Sequence, residues 1–413
     1  MSNVSSSNSQ GVRVPKLRFP GFEGEWRETP ISDLLDFQNG INAAAEKYGS
    51  GIKYISVSDI LNLPYITYDT IKGLVDIDGN TLDNFAVNYG DILFQRSSET
   101  QEDIGHSNVY LDSKTATFGG FVIRGRKIGE YNPVFFKHLL DTQNARKVIT
   151  RLGAGAQHYN IGQDSLRTIQ LYFPKTEEQN KISELLLLID KKISLYKIYI
   201  ELLKSYKRGV STALFTQKLR LSKTCLPHNT EWSKKYLGDI FSERTERAAG
   251  NERLLAVTIN YGVQDRTELD LKDNSSDDKR NYRVVHIGDL AYNTMRMWQG
   301  ACGVSAFDGI VSPAYTVLYI TDNTENYAPF WGYYFKETSM LQTFQRNSQG
   351  LTSDTWNLKY EKFAHISVYA PPFQEQLQIA DFLDRISDKI AANENFLNSL
   401  VKFKCGLLSL LFI

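Results

Sequence analysis

Cysteine is scarce. Only Cys225, Cys302 and Cys405 occur in 413 residues, each far from the others. That excludes a disulfide framework and a cysteine zinc site, and it fits a reducing compartment such as the cytoplasm. No stretch approaches the ~18 consecutive apolar residues of a membrane span, so no membrane partner is expected. The Ser/Asn-rich start has no apolar signal core, and residues 1–24 read as a disordered or extended lead-in. Net charge is absent too, with 47 basic and 47 acidic residues, which argues mildly against a free-standing binder of nucleic acid. No Gly-x-x-x-x-Gly-Lys-Ser/Thr loop is present, so that route to ATP is closed. Gly153-Ala154-Gly155 precedes a strand rather than linking strand to helix, which argues against a dinucleotide site. His106, His138, His158, His228, His286 and His365 form no His-Glu-x-x-His pair, and the carboxylates form no hydrolase pattern. Neither a metal nor a catalytic residue is expected in this chain.

What the sequence does have is itself, twice. Residues 174–215 align with 371–412 at a constant offset of 197 and without a gap. Pro174, Glu178 and Gln179 meet Pro371, Glu375 and Gln376. Ile182, Leu186, Ile189, Ile193, Leu203 and Lys207 meet Ile379, Leu383, Ile386, Ile390, Leu400 and Lys404. Both stretches step by four and three, the seam of a coiled coil, and Pro stands just before each start. At ~1.5 Å per residue each seam runs about 50 Å. Neither helix is stable alone, so the two are expected to pair with each other. Lys207, Asn393 and Lys404 are polar seam positions of the kind that fix register.

The repetition reaches beyond the helices. Trp26 precedes Ile31-Ser32-Asp33-Leu34 as Trp232 precedes Leu237-Gly238-Asp239-Ile240, and each Trp is expected to anchor the start of a domain. The strand candidates 54–57 and 254–258 correspond. The turn Tyr89-Gly90-Asp91 echoes Ile287-Gly288-Asp289, and each feeds a strand. Asn132-Pro133 and Ala328-Pro329 open aromatic helices. The glycine loop 151–161 answers 348–358 at the offset of 197, and a strand then leads into each long helix. The order is therefore α+β domain, helix, α+β domain, helix: 25–173 and 224–370 as domains, 174–223 and 371–413 as helices. If the helices pair antiparallel, the halves are related by a pseudo-two-fold axis and both termini lie near one end of the bundle. The halves share turns and core positions but differ in their loops. Two charge runs stand out, a basic one over 204–223 and an acidic one over 267–278; both read first as solvated faces.

The repeated Pro-x-x-x-Glu-Gln-x-x-Ile helix start, the Gly-Asp-Ile/Leu turns and the Pro20-Gly21-Phe22-Glu23-Gly24-Glu25-Trp26 lead-in together resemble the specificity subunit of type I restriction–modification enzymes, over nearly the whole chain. The resemblance implies two target recognition domains reading a bipartite, asymmetric sequence in double-stranded DNA. It implies paired helices that separate the domains and dock two methyltransferase subunits. It implies a chain that catalyses nothing and binds no cofactor, with S-adenosylmethionine in the methyltransferase subunits, and ATP and magnesium in two motor-nuclease subunits. Half-sites one DNA turn apart lie about 34–36 Å from each other, which a ~50 Å rod can span. Asn132-Pro133-Val134-Phe135 is similar to the Asn-Pro-Pro-Phe/Tyr signature of adenine methyltransferases, but it lacks the second proline and reads as a helix N-terminus.

Base edges are read by Arg, Lys, Asn, Gln and apolar groups. The divergent loops offer Gln95, Arg96, Ser97, Ser98, Gln157, His158 and Tyr159 in the first domain. The second offers Asn293, Arg296, Met297, Trp298, Gln299, Gln349, Thr352 and Ser353. Arg151 and Arg346 are candidates for phosphate. Tyr159, Asn160, Trp356 and Asn357 stand at repeated positions, which favours a scaffold role for them. Two other readings stay open: a self-contained methyltransferase or nuclease with an unrecognised site, and a two-lobed protein-binding scaffold.

Overall fold

The computed structural model describes residues 13–155, 158–221, 231–249, 252–269 and 278–413. Much of the acidic run and the end of the basic run fall outside these residues. The chain forms two units, 1–198 with 395–413, and 199–394.

In the first unit a four-stranded antiparallel sheet is ordered Leu35–Asn39, Val122–Lys127, Ile92–Gln95, Ser107–Val109. Ile92 sits opposite Gly125 and Val109. A separate ribbon pairs Arg27–Pro30 with Gln170–Phe173. The helix Pro133–Leu140 is capped by Asn132, whose Oδ1 accepts from the amides of Val134 and Phe135. The pre-proline asparagine is thus a helix cap. Trp26 is buried edge-on to Phe135 (5.7 Å) and Phe412 (6.1 Å), which makes it the anchor expected. From Arg13 the lead-in is tied to the helices: Leu17 N–H bonds Leu410 C=O (2.9 Å), and Arg18 grips Glu178 with two bonds (2.8 and 2.7 Å).

The second unit repeats this plan. Its four-stranded sheet is ordered Phe241–Glu243, Tyr315–Ile320, Leu290–Asn293, Cys302–Val304, and its ribbon pairs Ser233–Tyr236 with Ser367–Ala370. Trp232 packs on Phe330 (6.1 Å) and Tyr334 (6.3 Å). Leu219 N–H bonds Ala213 C=O (3.0 Å), and Arg220 approaches Glu375 (3.6 Å). Residues 16–18 thus recur as 218–220. The units diverge outside this frame. Tyr54 and Ile55 pair parallel with Thr117 and Phe118 as Leu254 does with Ile310, so these strands correspond, but the first unit extends its strand to Tyr48–Ile55 against Leu74–Val75 while the second forms the hairpin Leu255–Thr258/Gly262–Asp265.

The long helices run Thr176–Phe215 and Phe373–Leu411. The first stops at Phe215 rather than continuing to residue 223, where Gln217 adopts φ 57° and turns the chain back. The glutamine of the repeated helix start has a definite task. Gln179 Oε1 accepts from Asn132 N–H (2.9 Å) and its amide donates to Pro174 C=O (2.9 Å). Gln376 does the same with Tyr327 N–H (2.9 Å) and Pro371 C=O (3.0 Å).

Within each unit the two helices pack antiparallel. In the first unit Ile182, Leu186 and Ile189 share a core with Leu407, Leu411 and Phe412, and Tyr196 meets Phe396 (4.8 Å). In the second unit Val210, Leu214 and Phe215 share a core with Ile379, Ala380 and Leu383. Each fully buried Leu or Ile contributes roughly 1.5–3 kcal/mol. The expected polar seam positions behave differently from one another. Asn393 only bonds Lys389 C=O of its own helix (2.6 Å). Lys404 bonds Asp190 (2.5 Å), which also accepts from Tyr65 O–H (2.5 Å) and lies 3.1 Å from His138 Nε2. Lys207, at the repeated position, donates to Ser387 (2.6 Å) and lies over the Tyr333 ring (4.9 Å). Ser387 stands where the offset of 197 places the counterpart of Asp190, and Tyr333 follows its helix cap by as many residues as His138 does. One lysine key therefore enters two different locks.

Candidate nucleic-acid interface

In each unit the strand fed by the Gly-Asp turn leaves the sheet and meets the glycine loop. In the first unit Ile92–Gln95 runs out to Ser97–Ser98, which pairs with Tyr159–Asn160 (Ser98 opposite Tyr159, Ser97 opposite Asn160). Ser97 Oγ donates to Asn160 Oδ1 (2.5 Å). Arg96 N–H bonds Phe121 C=O (2.9 Å), and its guanidinium donates to Gly120 C=O (3.2 Å). The pairing thus brings Arg96, Ser97 and Ser98 beside Tyr159, which is half-buried against the core, and the exposed His158 precedes it. Gln95 does not join them. It is buried, its amide donating to Ser97 C=O (2.9 Å), so it shapes the loop rather than presenting itself to a ligand. Arg151 is exposed at the end of the helix Gln143–Arg151, and Gln157 lies outside the described residues.

Sequence reasoning missed the tight turn at Gly119-Gly120-Phe121, closed by Val122 N–H to Gly119 C=O (2.8 Å). Phe121 is 70% exposed. A Cβ on Gly120 would stand 1.8 Å from Asn42 Oδ1, and one on Gly119 2.1 Å from Tyr54 O–H. Two glycines in a row ahead of an aromatic residue were the signal.

In the second unit Leu290–Asn293 runs out to Thr294, whose carbonyl accepts from Leu358 N–H (2.9 Å). That bond joins the 293–299 loop to the loop 349–357. Trp298 meets Trp356 edge-on at 5.1 Å, and its indole donates to Met295 C=O (3.1 Å). Arg296 is exposed, with one long bond to Gln299 (3.3 Å). Asn293 Oδ1 accepts from Met295 N–H (3.0 Å) and is partly spent. Met297 is fully buried in the core, a correction to its place among the exposed candidates: in a tight helical turn with Gly300 behind it, the side chain points inward. Gln349, Thr352 and Ser353 are exposed on the loop, and Arg346 is exposed on the preceding helix with a bond to Thr343 (3.2 Å). Met295 and Leu351, absent from the sequence candidates, are exposed beside them.

The two glycine loops differ in length. Ala154 and Asn160 close the first, and Gln349 and Asn357 close the second. Gly155 (φ +144°) is therefore the counterpart of Gly350 (φ +145°), not Gly153, and the second loop is two residues longer. A Cβ at Gly155 would sit 2.0 Å from His158 C=O, so only glycine closes that loop. The seam residues named for helix pairing face their partner helix, buried or half-buried, and are not open to a further protein. The first long helix instead exposes Leu188, Leu195 and Leu202 at heptad spacing. Among the described residues no cluster of His, Cys, Asp or Glu could hold a metal, and no helix is long and apolar enough to cross a membrane.

Each of the two units repeats one plan, with divergent loops brought together by backbone bonds and a core shared with the paired long helices. Residues 229–402 match the type I restriction modification DNA specificity domain. A putative type I restriction enzyme specificity subunit of Methanocaldococcus jannaschii is 25% identical over 247 residues, 57% of this chain and 54% of that relative, so the match spans about half the relative's length. The fold is similar to that of the type I restriction–modification S subunit from M. genitalium (TM-score 0.58, 18% identity, 97% of this chain and 99% of that one). It is also similar to a chain from a structure of type I R-M assembly and conformational transition (TM-score 0.54, 13% identity, 95% and 98%). Residues 229–402 thus match that DNA specificity domain, and the likeness of fold extends over nearly the whole chain.

Proposed function

We propose that this chain reads DNA for a type I restriction–modification complex. Each domain reads one half of a bipartite, asymmetric target through its two gathered loops. Methyltransferase subunits, two per chain, dock on the assembly, and two motor-nuclease subunits join through them. Leu188, Leu195 and Leu202 on the first long helix offer a methyltransferase subunit an apolar stripe. The chain transfers and cleaves nothing itself; S-adenosylmethionine, ATP and magnesium belong to the partners. A cytoplasmic setting suits Cys302 and Cys405, both free thiols.

The observation that carries this reading is one scaffold built twice with different loops at the same place. The frame is preserved down to the bonds of Gln179 and Gln376, while Arg96-Ser97-Ser98 gives way to Thr294-Met295-Arg296. A protein selected to hold one partner twice would keep those loops alike. The arginines and polar loop side chains are of the types that pair with guanine and adenine edges.

Exchanging residues 26–173 for the domain of another family member tests it. Methylome sequencing should show one half of the methylated sequence changed and the other retained. An unchanged sequence refutes the assignment.

A further inference from the structure

Leu351 is the most exposed large apolar residue of the described chain, with its entire side chain in solvent. It stands at the tip of the longer glycine loop, and that loop is held in shape. Gln349 and Asn357 exchange both backbone bonds at its base (3.0 and 2.8 Å). Inside it, Thr355 N–H bonds Thr352 C=O (2.9 Å), and Thr352 N–H bonds Thr355 Oγ1 (3.1 Å). Trp356 N–H also reaches Thr352 C=O (3.1 Å), and its ring is seated on Trp298. Gly350 at φ +145° throws the next residue outward, and a Cβ there would meet Thr355 at 2.6 Å. A built loop thus projects one leucine beyond a collar of hydrogen-bonding residues: Gln349, Thr352 and Ser353.

We infer that Leu351 is a wedge that inserts between stacked base pairs of the half-site read by the second domain. This rests on the DNA-reading function proposed above. A side chain without apolar neighbours gains little from a flat polar groove. It gains most where apolar surface closes on both sides, as between two bases. Architectural DNA-binding proteins use leucine, isoleucine, phenylalanine and methionine in this way, unstacking one step at a cost of a few kcal/mol. Gln349, Thr352 and Ser353 are placed to bond the phosphates and base edges that flank the opened step. The step that opens most readily is preferred, so the wedge adds specificity through deformability at a position no side chain reads by hydrogen bonds.

The test uses the full chain assembled with its methyltransferase partner, on a duplex carrying the target found by methylation mapping. 2-Aminopurine is placed at successive positions of the second domain's half-site. Wild type should raise the emission at one step besides the base that the methyltransferase itself flips out. Leu351→Ala should abolish that rise and weaken binding about tenfold, the loss of one buried leucine side chain, whereas Leu351→Phe should keep the rise. The inference is overturned if Leu351→Ala leaves emission and affinity unchanged. It is overturned equally if the variant assembles poorly with the methyltransferase but unstacks DNA normally, or if its only effect is lost preference for thymine over deoxyuridine. If wild type selects no sequence at all, the DNA-reading function falls first and the wedge with it.

Discussion

Asp190 illustrates what one residue holds together. Burial alone would raise its pKa, but bonds from His138, Lys404 and Tyr65 outweigh that and hold the carboxyl below the ordinary carboxylate range. Burial pushes His138 the other way, toward the neutral form. The geometry agrees: Nε2–H faces Asp190, while Nδ1 has no partner among the described residues, so a second ring proton would be buried and unsatisfied. Asp190→Ala should cost about 3–5 kcal/mol, because it leaves Lys404 without its counter-charge in a closed site. Denaturant melts followed by fluorescence of the first unit measure this. The pH dependence has a definite sign. The folded pKa of Asp190 lies below the unfolded value near 3.9, so its contribution is complete above about pH 4 and fades as pH falls further. The unfolded state protonates His138 near pH 6.5 while the folded state resists, so stability also declines from about pH 6.5 downward. Wild type should lose stability on acidification over both ranges, and Asp190→Ala should lose the lower one. Lys404 was legible in the sequence as a polar interruption of an apolar seam. Its lock was not, because Tyr65 and His138 arrive from elements far away in the chain. Gln95 and Met297 were misplaced for a related reason: whether a loop side chain points in or out is decided by tertiary packing, which local pattern does not carry.

At the scale of the element, the long helices were the most legible feature. Their signal is local and repeats ten times along each stretch. Their stopping points were not; the basic residues after Phe215 keep a helical composition, and only the left-handed Gln217 ends the helix. The glycine loops were found in place but misregistered, since two residues inserted near a tip leave no trace until the closing backbone bonds are seen. The strands are short, three to six residues in each four-stranded sheet, so their order was out of reach. Four residues added to each long helix, about one turn and about 6 Å, should lengthen the spacer between the two half-sites while both half-sites keep their bases. Methylome sequencing of a strain carrying the insertion reports this directly, and the original spacer would count against a ruler made of these helices.

For the whole molecule, duplication is the organising fact, and the bonds at the helix ends carry it further than composition does. Leu17 lies on the end of the second long helix as Leu219 lies on the end of the first: Leu17 to Leu410, Leu219 to Ala213. Arg18 and Arg220 then clasp Glu178 and Glu375 in turn. The architecture is therefore a loop in the topological sense, indifferent to where the backbone is opened. Joining Ile413 directly to Pro15 and opening the chain between Leu221 and Glu231 should give a rearranged polypeptide that folds with the same thermal midpoint to within a few degrees and directs methylation to an unaltered sequence. A gene can then lose, gain or trade either half of this circle without having to invent a new seam, since the joint that receives the newcomer is already there twice.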